Sequence, residues 1–319
     1  MQTSKFKGRN LSITVSILVL ALSATSFTAL STFSASSTNG DDVIGGGRLG
    51  ESGVIFNDTT GDGVGAPPKT SATAFLIADL DSGEILAAKN PHKKLPPAST
   101  LKTLTALTLL PRLDMNDTYV GTKKEPRTIG NKVGIYPGRK YKIKDIWYGF
   151  MLDSGNDAGV ALANASGGIK KTAALMKAKA ESIQAMDTTP KSPHGLDTPG
   201  QLSSAYDLAL IARAAMDRSD FRKIVKTKRY TFPKSGPKNV NRKISNLNKL
   251  LFTYPGTLGV KTGWTTKGQN TYIGVVERDG RTLIITFMHL KYGRDALAKE
   301  LFDWGFKAIG EVEPVGKLV

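Results

Sequence analysis

The chain of 319 residues contains no cysteine. Disulfides, thiol catalysis, cysteine-ligated zinc and lipid attachment through an N-terminal cysteine are excluded. Acids are in short supply, with 27 Asp and Glu against 44 Lys and Arg, a net charge of +17. Internal repeats are absent. Aromatic residues, at 8%, and hydrophobic residues, at 40%, stand at ordinary levels for a globular protein. A chain of this length can bury one large core, or a core with an attached lobe.

A long unbroken apolar run is also missing. Leu11 to Leu30 carries no charge and follows Lys5, Lys7 and Arg9, but serines and threonines dilute it. A basic start before an apolar stretch is the plan of an export signal. Twenty residues would also match a bilayer span. No Ala-x-Ala cleavage site follows. Residues 1–30 therefore read as a signal peptide or an N-terminal membrane anchor, with a buried N-terminal helix as the third reading. Either export reading puts the protein outside the cytoplasm, secreted or held to the outer face of the cytoplasmic membrane. Residues 31–71, rich in Ser, Thr, Gly, Asp and Asn and closing on Pro67-Pro68, read as a flexible linker. Order is expected from about Ala72, which makes 72–319 the folded domain.

The basic excess belongs to the folded part. Without its first 40 residues the chain keeps 41 basic and 27 acidic residues. Nine of the bases fall between Arg222 and Lys243, with no acid among them. Such a surface attracts nucleic acid, anionic lipid heads or anionic wall polymers, or is simply solvated. An export signal argues against nucleic acid.

Hydrophobic periodicity and turn residues predict the elements. Ala74 to Leu80 and Glu84 to Ala88, split by Asp81-Ser82-Gly83, form a hairpin. Pro96 to Leu110 is a buried helix stopped by Pro111. Ile143 to Leu152 and Asn156 to Ala165 are helices broken at Asp153-Ser154-Gly155. Lys170 to Ala185 and Ser204 to Met216 follow as helices, and Arg229 to Phe232 as a strand. Leu258 to Thr262, Thr271 to Glu277 and Thr282 to His289 are strands, and Arg294 to Ile309 is a closing helix. The order predicts a mixed α/β domain, an antiparallel sheet built from both chain ends and flanked by helices, with a helical lobe between. A cleft between sheet and lobe is the natural site.

Three short motifs fall in those elements. Ser99-Thr100-Leu101-Lys102 heads the buried helix. On a helix, residues three apart are neighbours, so the lysine amine can reach the serine hydroxyl. A neutral amine can take the proton that the hydroxyl must lose to attack a carbonyl. Burial, a helix N-terminus and a second lysine would each favour that neutral form. Alone, the pattern is also an N-cap beside a snorkelling lysine. It recurs at Ser4 to Lys7 and Ser235 to Lys238. Ser154-Gly155-Asn156 lies at the helix break, where its serine could relay protons and its asparagine could hold a lysine or an amide. Turn chemistry alone would also suit it. Lys261-Thr262-Gly263 lies on a strand, where charge and hydroxyl could clamp a carboxylate and glycine could admit a substrate backbone.

Taken together, in this order and these settings, the three are the set found in penicillin-binding proteins and serine β-lactamases. From Ala72 to Phe306 the chain resembles the D-alanyl-D-alanine carboxypeptidases among the low-molecular-mass penicillin-binding proteins. Further strings support the resemblance: Ser154-Gly155-Asn156-Asp157-Ala158, His194-Gly195-Leu196, Asn248-Lys249-Leu250-Leu251, Gly259 to Thr265, and Asp303-Trp304-Gly305-Phe306. The resemblance implies the penicillin-binding, β-lactamase-like transpeptidase fold. It implies that Ser99 is acylated by a peptidoglycan stem peptide ending in D-Ala-D-Ala, with release of the terminal D-alanine and hydrolysis of the acyl-enzyme. Lys102 would be the base and Ser154 the proton relay. Asn156, Lys261, Thr262, Gly263, Trp264 and Arg294 would bind substrate, the backbone N–H groups of Ser99 and Trp264 would form the oxyanion hole, and β-lactams would be covalent inhibitors. No metal or organic cofactor is implied. Around the nucleophile, Pro97-Ala98 and Thr100-Leu101 stand where relatives often have Asp-Pro and Leu-Thr.

Other readings share these residues. A class A β-lactamase needs a glutamate for deacylation, and between Ser154 and Lys261 the only one is Glu181, inside a predicted helix. A DD-endopeptidase would keep the same site. A non-catalytic wall-binding protein would use the basic stretch alone.

Overall fold

In the computed structural model of the chain, which describes residues 43–57 and 63–319, strands from both ends of the sequence meet in one sheet. The elements, in chain order, are β1 (Val54–Phe56), β2 (Ala74–Asp79), β3 (Glu84–Lys89), α1 (Lys102–Leu109), β4 (Thr118–Val120), β5 (Lys140–Lys142), α2 (Ile143–Leu152), α3 (Asn156–Ala165), α4 (Ile169–Ser182), α5 (Ala205–Met216), α6 (Ser219–Lys226), β6 (Arg229–Ser235), β7 (Val240–Ser245), α7 (Leu250–Thr253), β8 (Thr257–Thr265), β9 (Gln269–Arg278), β10 (Arg281–Leu290), α8 (Arg294–Ala308) and β11 (Gly316–Lys317).

The main sheet runs β1-β3-β2-β10-β9-β8, with β11 also pairing β3. All its pairs are antiparallel. Local chemistry fixes the connections. The β2–β3 turn closes on Asp79, whose Oδ1 accepts the N–H groups of Asp81 and Ser82. Between β9 and β10, Asp279 and Gly280 both have positive φ, 51° and 74°, as a two-residue hairpin turn of this hand requires.

The central strands are apolar at nearly every position because both faces are covered. Ala74, Leu76 and Ala78 of β2 join the core shared with the helical lobe, whereas Phe75 and Ile77 pack on the α8 side with Leu301 and Phe302. The lobe is α2 to α4 with the β4–β5 and β6–β7 hairpins around it, and α1 and α5 lie between lobe and sheet. Strand β8 closes the sheet on the lobe side. The predicted mixed architecture is therefore present. Helix α6 and strand β7, in the lysine-rich stretch, went unassigned in the sequence.

The linker expected over 31–71 is corrected at its centre. A 3-10 turn, Gly47–Gly50, and strand β1 lie within it. Leu49 and Ile55 are buried in the main core, and Val54, Ile55 and Phe56 pair with Lys89, Ala88 and Ala87. Polar composition hid two apolar anchors. The basic N-terminus and Leu11 to Leu30, expected to form a signal or anchor, lie outside the described residues. Among the described residues no helix is long and apolar enough to cross a membrane.

Candidate active site

The helix expected from Pro96 to Leu110 is built in parts. A 3-10 turn, Ala98–Leu101, leads into α1, which starts at Lys102. Residues three apart eclipse in a 3-10 turn, so Ser99 and Lys102 stand one above the other. Their Oγ and Nζ atoms are 3.0 Å apart. Ser99 is not the N-cap, because Pro97 holds that position. The turn is held by Thr271 of β9, whose Oγ1 donates to Pro97 O at 2.9 Å. It is also pressed by Gly195, where a Cβ would sit 1.9 Å from Ala98 O.

Lys102 is completely buried. Its Nζ lies 2.9 Å from Ser154 O, 2.7 Å from Asn156 Oδ1, and 3.0 Å from Ser154 Oγ. Two of its four oxygen neighbours are carbonyls, which only accept. A neutral amine gives its two hydrogens to them, and its lone pair then faces the two serine hydroxyls. Burial lowers the Lys102 pKa well below the ordinary lysine value; the charge of Lys261 lowers it further, and Asp157 opposes both. The geometry accommodates the neutral amine that the electrostatics favour.

The break between α2 and α3 delivers the second serine. Ser154 has φ 57°, left-handed for a non-glycine residue, a strain that persists only where surroundings enforce it. Asn156 starts α3, and its Nδ2 donates to Ile129 O at 2.8 Å. The next residue, Asp157, went unremarked in the sequence except as part of a string. Its buried carboxylate accepts N–H bonds from Val133, Gly134, Ile135 and Ala158 at 2.7–3.0 Å. It thereby clamps the 129–135 loop onto the Ser-x-Asn turn. An acid in the first turn of an otherwise apolar helix was the available signal.

Strand β8 supplies the third motif. Lys261 and Thr262 are buried, and Lys261 Nζ donates to Thr262 O at 2.9 Å. Burial, then the charge of Arg294, pushes the Lys261 pKa down to about 7, with Asp153 opposing. Gly263 is tightly enclosed. A Cβ there would lie 2.8 Å from Ser99 N and 2.3 Å from Thr271 Oγ1. The glycine admits the Ser99 turn, and it also lines the cleft. Trp264 is 64% exposed.

These elements enclose a cavity of about 520 Å³ lined by Ser99, Ser154, Asn156, Thr262, Gly263, Trp264 and Arg294. Lys102 and Lys261 are buried behind this lining. Arg294 lines the cavity and pairs with Asp295 at 2.9 Å. The wall also includes Ile129, Asn131, Leu196, Asp197, Leu247 and Lys249. Of these, Leu196 and Lys249 lay in strings noted in the sequence. Asp197 is engaged by Thr265 Oγ1 at 2.7 Å and Lys267 N at 3.0 Å. Glu181 is on α4, ion-paired with Lys177 at 3.3 Å, and does not line the cavity. A larger cavity, about 660 Å³, touches no motif residue. Its Arg213 already donates to the carbonyls of Leu80, Asp81 and Leu318, so the chemistry selects the smaller one.

Comparison with known proteins agrees with this geometry. Residues 62–291 match the family described as D-alanyl-D-alanine carboxypeptidase. D-alanyl-D-alanine carboxypeptidase DacB2 of Mycobacterium tuberculosis is 40% identical over 258 residues, covering 79% of this chain and 87% of that protein. DacC of Escherichia coli is 32% identical over 267 residues, 78% of this chain and 64% of the longer relative. Among solved structures, a D-alanyl-D-alanine carboxypeptidase from M. tuberculosis H37Rv superposes with TM-score 0.77 and 37% identity, covering 82% of this chain and 99% of that one. The Streptomyces K15 DD-transpeptidase does so with TM-score 0.72 and 26% identity, covering 76% and 99%. The family match and the overall superposition point the same way, and this chain belongs to the D-alanyl-D-alanine carboxypeptidase family of serine peptidases.

Proposed function

We propose that Ser99 is the nucleophile that removes the terminal D-alanine from peptidoglycan stem peptides. The observation that carries this reading is the Lys102 amine, buried and 3.0 Å from Ser99 Oγ. In the proposed reaction Lys102 takes the Ser99 hydroxyl proton as Oγ attacks the penultimate alanine carbonyl. The oxyanion is received by the backbone N–H groups of Ser99 and Trp264, a kind of contact worth about 3–4 kcal/mol where one donor has been removed. The proton returns through Ser154 to the amine of the leaving D-alanine. Water, deprotonated by Lys102, then cleaves the ester and regenerates Ser99. Asn156 holds Lys102 and the substrate amide. Thr262 and Arg294 meet the terminal carboxylate, and Lys261 adds charge from behind Thr262. β-Lactams would acylate the same oxygen.

The separation of Glu181 from the cavity supports slow hydrolysis of a penicilloyl adduct, against a β-lactamase. We place the protein outside the cytoplasm, where residues 1–30 act as signal or anchor and the basic surface meets an anionic wall polymer or membrane. The test is D-alanine release from a peptide ending in D-Ala-D-Ala, together with mass spectrometry after penicillin treatment. Release that survives Ser99→Ala, or rapid turnover of penicillin, would overturn the reading.

A further inference from the structure

The stretch from Arg222 to Lys243, with nine bases and no acid, folds as α6 and the β6–β7 hairpin. Helix α6 buries Phe221, Ile224 and Val225 and leaves Arg222, Lys223 and Lys226 exposed. Lys228 and Lys243 are exposed beyond it. Arg242 pairs with Asp153 at 2.9 Å. Among the described residues no other acid is ion-paired with this set. Asp145 of α2 is already taken by the Tyr230 hydroxyl.

The face is rigidly joined to the active cleft. Ser235 Oγ donates to Val133 O at 2.6 Å and Gly236 N to Gly134 O at 2.7 Å. These bonds seat the hairpin on the loop that Asp157 clamps and that contributes Ile129 and Asn131 to the cleft wall. Lys249, exposed on that wall, lies four residues after the end of β7. A track of positive charge therefore ends at the cleft.

Its make-up favours a hydrated polyanion over a bilayer. The apolar side of α6 is inside the protein. Phe252 lies under the cations of Lys228 and Arg229, 5.8 and 5.6 Å from its ring. Val240, about half exposed, is one apolar side chain rather than a row of them. Membrane-surface helices instead expose an apolar face to the lipid.

We propose that this face binds a polyanionic wall polymer, phosphate- or carboxylate-bearing, attached to the glycan that carries the peptide substrate. The inference rests on the reading of the cleft as a wall-peptide site. Attraction of this kind is non-directional and weakens as salt screens it. The test compares the parent with a Lys226→Glu, Lys228→Glu, Lys243→Glu variant in co-sedimentation with sacculi, before and after hydrofluoric acid strips phosphodiester-linked polymers. Vesicles containing anionic phospholipid are run in parallel. Expected is tight binding to intact sacculi, weakened at least tenfold by stripping, by 0.3 M salt and by the variant. Turnover of a soluble D-Ala-D-Ala peptide should stay within twofold of the parent. Binding indifferent to stripping or to charge reversal would overturn the proposal, as would preference for vesicles. Failure to turn over the soluble peptide would instead count against the catalytic reading.

Discussion

Gly263 backs directly onto Ser99: the nearest backbone atom to a Cβ built at 263 is the Ser99 amide nitrogen, 2.8 Å away. Two residues 164 positions apart in the chain, one in each of two motifs, thus share one close contact. Gly263→Ala should push β8 off the 98–101 turn and shift the Ser99 N–H that the mechanism needs. Displacements of about 1 Å can cost on the order of 100-fold in rate. The expected result is a loss of that order in penicillin acylation, measured by stopped-flow, with the fold kept by circular dichroism. Parent-like acylation in a folded Gly263→Ala protein would remove this role.

The two buried lysines should shape the pH profile in opposite ways. In the proposed reaction Lys102 acts only when neutral, so acylation should climb with pH through its lowered pKa. Lys261 helps only when charged, and its pKa is about 7 in the free protein. The kcat/KM profile, which reports the free enzyme, should therefore fall as pH rises past about 7. A bound carboxylate favours the ammonium form, so in kcat the fall should move to higher pH. Lys261→Arg keeps a charge at every accessible pH and should abolish the falling limb. A profile that still falls near the same pH in that variant would take Lys261 out of the account.

Asp157 is expected to act at one remove, by holding the 129–135 loop and by its charge. Asp157→Asn replaces one acceptor oxygen by an amide donor facing N–H groups that now have too few acceptors. Leaving such groups unsatisfied costs about 1–3 kcal/mol each, so a fall in thermal stability is expected. The carboxylate also raises the Lys102 pKa against burial. Its removal should shift the rising limb of acylation to lower pH. A merely structural residue would lower stability without moving that limb, and this outcome would separate the two roles.

The sequence revealed the three motifs and their settings better than the elements around them. The Ser99–Lys102 spacing, the break at Ser154 and the strand at Lys261 were legible because each motif interrupts a hydrophobic pattern in a specific way. The 3-10 form of the first turn was not, because three-residue spacing brings side chains together in either helix. The β6–β7 hairpin was obscured by its lysines, since its buried Phe232 and Ile244 are few among exposed bases. The burial of Lys261 was hidden for the opposite reason. A lysine on a strand end reads as solvated, and only the tertiary position of β8 covers it.

The segment over 43–57 was the least legible and offers the last test. Its contacts are spread along the chain: Leu49 and Ile55 enter the core, Gly45 O accepts Lys317 N at 2.7 Å, and His92 Nε2 lies 3.0 Å from Ile44 O. Strands β1 and β11 both attach to β3, on the edge of the sheet opposite β8. The segment should therefore stabilise the fold without entering the chemistry. Truncating a buried Leu or Ile to Ala costs about 2–5 kcal/mol. Leu49→Ala and Ile55→Ala should each lower the denaturant midpoint by a corresponding amount, with D-alanine release at 25 °C within twofold of the parent. An unchanged midpoint in both variants would mean that the folded domain starts after this segment, near Ala72 as its composition suggested.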